Sequence, residues 1–199
     1  MKTGVNFVRR VVANVAIAAV VVCLFALSVT GTVITAEADN SPVYKGANTK
    51  KVSLMVNVYW GTEYIDGMLE TFKANGVTTT FFVGGMWVRD NEETFKKIIE
   101  YGHEIGNHGY FHKDHDKINA ERNREEILST HNLVQAISGI NMTLFAPPSG
   151  AFNNVTLEIA KELCYTTVMW SKDTIDWRDK DSKLIFNRAT KNISCLLYT

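Results

Sequence analysis

No excess of either charge marks this sequence: 21 Lys and Arg face 21 Asp and Glu, so the formal net charge is zero. No basic patch or stripe appears either, which excludes the electrostatic footprint of a nucleic-acid binder. Cysteine is scarce as well. Cys23, Cys164 and Cys195 have no paired spacing, so neither a disulfide framework nor a cysteine zinc cluster is indicated. Cys164 and Cys195 read as unpaired core residues. Internal repeats and low-complexity tracts are missing, and the composition is that of a folded domain.

A long uncharged segment is present near the N-terminus. Lys2, Arg9 and Arg10 precede a run from Val11 to Ala36 that includes VVANVAIAAVVVCLFALSV. Its apolar part has about the ~20 residues a membrane-crossing helix needs. Positive charge before it places the remainder outside the cytoplasm. Ala36-Glu37-Ala38 fits a small-x-small cleavage site, so residues 1–38 read as a signal peptide or a single-pass membrane anchor. Residues 39–50, polar with Pro and Gly, read as a linker to a domain at 51–199.

From Lys51 onward, strand-like and helix-like stretches alternate. KVSLMVNV, VTTTFFV, HEIGNH, MTLFAPP and YTTVMW are short apolar or β-branched runs suited to strands. Between them, Ile65, Met68, Leu69 and Phe72 recur at helical spacing. NEETFKKIIEYG, ERNREEILSTHNLVQAIS and NNVTLEIAKELC also read as helices, the last with an Asn cap. DSKLIFNRATKN reads as a further helix after the fifth strand. Such alternation predicts βαβ units and a parallel sheet, with five strands, too few for an eightfold barrel.

Chemistry-bearing residues fall just after these strands: Asn57, His108, Pro147 and the run Asp173–Trp177. Sites of parallel α/β folds gather at those strand ends. His108 and His112 lie four apart, a spacing that in a helical turn puts both imidazoles on one side, able to share an ion. His115 reads as solvent-exposed, His103 as structural, and Trp60 and Trp87 as packing residues.

With these residues in place, the domain resembles the polysaccharide deacetylases of the NodB-homology group, carbohydrate esterase family four. GVTTTFFVGGMWV and IIEYGHEIGNHGYFH carry the likeness, FAPPSG and DTIDW follow in order, and the Trp-Gly of VNVYWG points to the sporulation-type subgroup. The resemblance implies a distorted, incomplete (β/α) barrel and metal-assisted hydrolysis of N-acetyl groups on an envelope glycan, peptidoglycan or chitin-like. A divalent ion, Zn²⁺ by expectation, would be held by an Asp and two His, here His108 and His112. The metal polarises the acetamide carbonyl and lowers the pKa of a bound water.

Several family positions are changed. Asn57 stands at the base position and Val58 at the acidic ligand position. Glu63 could serve as third ligand or base, or cap the helix after it. Gly109 replaces the usual Ser or Thr between the histidines. The Arg that orients the base is lost, Arg-x-Pro having become Ala146-Pro147-Pro148, with Pro148 either lining the substrate site or shaping a loop. The fourth motif persists: Asp173 and Asp176 take supporting roles and Trp177 either stacks on a sugar or packs. The late Leu-x-x-x-His motif, with its acid, is absent, which reads as a C-terminally truncated domain with an open sheet edge. His131 is a poor substitute for that acid. Two readings follow: a deacetylase weakened or silenced in this copy, or an inactive glycan-binding or scaffold protein.

Overall fold

The computed structural model describes residues 40–46 and 51–191, together with Val15. Apart from Val15, the signal or anchor segment, its charged flank and Cys195 therefore lie outside the described residues. No helix among the described residues is long and apolar enough to cross a membrane.

Five parallel strands form one sheet in sequential order: β1 (Met55–Val58), β2 (Thr80–Val83), β3 (Glu104–Asn107), β4 (Leu144–Phe145) and β5 (Thr166–Thr167). Met55 pairs with Thr80 and Thr80 with Glu104, so the first three strands run in step and end together at Val58, Val83 and Asn107. Each crossover contains helix: α1 (Ile65–Ala74) after β1, α2 (Gly85–Asp90) and α3 (Glu92–Glu100) after β2, α4 (Ala120–Ser138) after β3, and α5 (Asn154–Glu162) after β4. Short α6 (Asp176–Asp179) and α7 (Ser182–Thr190) follow β5.

Alternation along each strand splits the side chains between two faces. Val58, Phe81, Val83, Ile105 and Phe145 join Leu69, Phe95, Ile98, Ile127 and Val134 in the main core, on the helix side. Met55, Phe82, Ala146 and Val168 form a smaller cluster on the other face. Val43, inside the stretch read as linker, bridges Val168 in parallel, its N–H donating to Thr167 O and its carbonyl accepting from Met169 N. The edge expected to be open beside β5 is thus partly taken. Cys164, expected in the core, is exposed in a left-handed turn at φ +62° that ends the α5 region.

Candidate functional site

Asn107, the last residue of β3, is fully buried and saturated. Its amide donates to Ile127 O (2.9 Å) and Tyr165 Oη (3.2 Å), and its carbonyl accepts from Gly109 N (2.9 Å). This closes the chain into a tight turn directly after the strand. His108, next in line, sits between the tips of β2 and β4: its N–H donates to Val83 O and its Nδ1 lies 2.7 Å from Ala146 O. A carbonyl accepts only, so Nδ1 carries the proton and Nε2 keeps its lone pair. Burial, reinforced by the nearby His112, pushes the His108 pKa down to about 3, so the ring is neutral.

The run from His108 to His112 is a loop and not the helical turn expected from the spacing. Gly109 at φ +69° and His112 at φ +53° bend it back, and the two imidazoles still meet, with centroids 5.1 Å apart at 72°. Three supports hold the loop. Gly85 N and Met86 N donate to Gly109 O and Tyr110 O. Glu126 on α4 accepts from Tyr110 N (2.9 Å) and Phe111 N (2.7 Å) through one oxygen, Oε2. Pro148, buried at the start of the turn Pro148–Gly150, packs beneath: a Cβ on Gly109 would stand 3.3 Å from its Cγ. The ring of His112 rests against Tyr59 (4.7 Å) and Trp60 (5.0 Å), and burial lowers its pKa.

Two expectations need correction here. His115, read as exposed, is completely buried, with Nδ1 2.6 Å from Asn123 Oδ1 and its ring against Phe145. A 3₁₀ turn at His115–Lys117 rolls the side chain under the loop, where burial lowers its pKa. Trp60, read as packing, is 70 % exposed, while Trp87 is the packing residue, buried with Nε1–H donating to Gly61 O (2.8 Å). His103 is structural as expected: its Nδ1 accepts from Thr79 N, and it packs on Phe72 and Phe81. His131 is hydrogen-bonded to Tyr165 Oη (2.6 Å) and Asn141 Oδ1 (3.0 Å).

The remaining candidates divide. Asn57 is exposed near the tip of β1, on the face of Met55, whereas Val58 turns into the main core. Glu63 is exposed, its carboxylate folded over Gly61 to accept from Thr62 N (2.9 Å). Asp173 accepts from Ile175 N, Asp176 from the Thr174 hydroxyl, and Trp177 is 66 % exposed; these bonds stay within their own loop. Among the described residues no three His, Cys, Asp or Glu side chains are grouped to hold a metal. The histidine pair alone has the right chemistry for one: neutral rings, with one Nδ1–H fixed by a carbonyl as in metal-ligating histidines. A catalytic zinc takes three protein ligands, so the residues present fit a complete site only in part.

Asn107, Glu126 and Tyr59 were not singled out by the sequence reading. A signal existed for Glu126: buried Asn123, Glu126, Ile127, Thr130 and Val134 recur at helical spacing, so polar residues continue the apolar stripe of α4.

A sequence-family profile described as polysaccharide deacetylase matches residues 44–168. The chain is 40 % identical over 153 residues to the uncharacterized protein YlxY of Bacillus subtilis, covering 76 % of this chain and 48 % of that protein. It is 34 % identical over 139 residues to the peptidoglycan-N-acetylmuramic acid deacetylase PdaA of the same organism, covering 68 % and 53 %. The crystal structure of a CE4 family pseudoenzyme from Bacillus anthracis superimposes with a TM-score of 0.76 at 32 % identity, over 80 % of this chain and 58 % of that one. The chain thus spans about half the length of the curated relatives it matches.

Proposed function

The chain belongs to the polysaccharide deacetylase family, and from that premise we propose that it is a deacetylase-like protein of the cell envelope that engages an N-acetylated glycan such as peptidoglycan while hydrolysis of the acetamide is weak or lost. The observation that carries this reading lies at the tip of β1. Asn57, which the motif count assigns to the base position, is exposed and is a carboxamide that takes up no proton near neutral pH. Val58, at the acidic ligand position, is buried in the core. A general base or acid contributes on the order of 10²–10⁴-fold, and here the base position, one ligand position and the orienting Arg are all unmatched. A divalent ion such as Zn²⁺, if bound, would be held by His108 and His112 and would polarise a carbonyl; with Glu63 folded over Gly61, the described residues offer no acidic third ligand.

The deacetylase and pseudoenzyme relatives support the same reading. Export, with the N-terminal segment cleaved or kept as a single-pass anchor, is supported by Lys2, Arg9 and Arg10 ahead of the apolar run. The test is acetate release from N-acetylglucosamine oligomers by the full chain, with and without added Zn²⁺. The wild-type chain is expected at background with and without the added ion. Metal-dependent turnover by the wild type would refute the loss of catalysis.

A further inference from the structure

Beside the histidine pair, the β1–α1 loop and α2 line an open groove of about 370 Å³. Tyr59, Trp60, Met86 and Trp87 supply its apolar walls, and Asp90 and Asn91 its polar end.

The walls are built and not accidental. Trp87 is buried, and its indole N–H holds Gly61 O at 2.8 Å, which ties the β1–α1 loop to α2. The Tyr59 ring lies so close over Gly84 that a Cβ there would stand 2.3 Å from a ring carbon, so only glycine admits it. Tyr59 in turn sets Trp60 edge-on, at 5.2 Å and 86°. Trp60 is fixed by these neighbours and by the His112 ring at 5.0 Å, yet remains 70 % exposed. A large indole set against two rings and left to water presents an unused apolar surface next to polar groups.

We infer that this groove is a subsite for a neutral pyranose ring of the N-acetylhexosamine class, seated on Trp60 and extending the glycan away from His112. The chemistry selects that occupant. A pyranose offers a patch of C–H bonds for an aromatic face and hydroxyls around its rim for Asp90 and Asn91. Charge selects it too. Asp90 is the one carboxylate on the lining and is already met by Arg89 at 2.7 and 3.0 Å, so a ring carrying its own carboxylate gains no cation here. Contact between Trp60 and His112 makes the groove continuous with the candidate site, so a neighbouring sugar would reach the imidazoles. This inference rests on the glycan-binding reading above and adds where the chain of sugars runs.

The test is calorimetric titration of the full chain with tetra-N-acetylchitotetraose, without added metal. Trp60→Ala is expected to weaken binding on the order of tenfold, Trp60→Phe to keep most of it, and Tyr64→Ala, an exposed aromatic outside the lining, to leave it unchanged. Trp60 is exposed, so its loss spares the core; an unchanged melting temperature checks this. Full binding by Trp60→Ala together with loss in Trp177→Ala would overturn this subsite and leave the glycan reading standing. No binding by the wild-type chain would overturn both.

Discussion

Glu126 is a carboxylate 1 % exposed to water, and the loop of the two histidines hangs from it. Arg122 brings Nη2 to 3.2 Å from Oε1, close enough to balance the charge but off the hydrogen-bond line. Removing the side chain leaves the part-buried amides of Tyr110 and Phe111 without their acceptor, and a fully buried unpaired donor costs about 1–3 kcal/mol. Glu126→Ala should therefore lower stability by about 1–2 kcal/mol, and Glu126→Gln, which keeps an acceptor oxygen, by less. Urea midpoints measure the loss, and faster exchange of the Tyr110 and Phe111 amides locates it. Equal effects of the two substitutions would contradict this role. Glu126 carried a sign of burial only in its helical spacing to Asn123, Ile127, Thr130 and Val134, whereas His108 and His112 were legible because two ligand-type residues at a fixed spacing are rare. His115 was misread because a polar side chain next to Asp and Lys looks solvated until the 3₁₀ turn rolls it inward.

Helices and strands were legible wherever periodicity was strong: α1, α3, α5 and α7 fall within the stretches read for them, α4 begins one residue before its stretch, and all five strands lie where expected. α2 was missed because Gly84 and Gly85 open it with helix-breaking residues, and six residues are too few to show a period. The cap of α5 was read from Asn153, and the structure completes it: Asn153 Oδ1 accepts from Thr156 N (3.0 Å), Thr156 Oγ1 accepts from Asn153 N, and Asn153 Nδ2 reaches Asp116 O (3.1 Å). Asn153→Ala should cost about 1 kcal/mol. The Asp116 bond ties this cap to the 3₁₀ turn that buries His115, so the substitution should also raise amide exchange around residues 115–117. Loss of helix stability with no change in that turn would separate the two.

At the level of the whole molecule, burial holds His108 and His115 neutral. In the unfolded chain both protonate near pH 6.5. Below that pH the unfolded state binds more protons than the native one, so stability falls as pH drops, and for His108 it continues to fall toward about pH 3. The slope approaches about 1.4 kcal/mol per pH unit for each such histidine. In metal-free buffer, the urea midpoint should fall between pH 6.5 and pH 5; a flat profile over that window would mean the rings are solvated.

Local pattern in the chain was enough to determine the alternation of strand and helix, the parallel sheet, the histidine pair and the uncharged residue at the tip of β1. These depend on periodicity, propensity and residue identity, all of which are properties of neighbours in sequence. Tertiary structure alone decided that His115 and Glu126 lie under the site, that Trp60 faces water while Trp87 does not, and that Glu63 folds back over its own loop. Apart from Glu63, these outcomes depend on contacts between segments: Glu126 meets Phe111 15 residues away, His115 meets Asn123 8 residues away, and Trp87 meets Gly61 26 residues away.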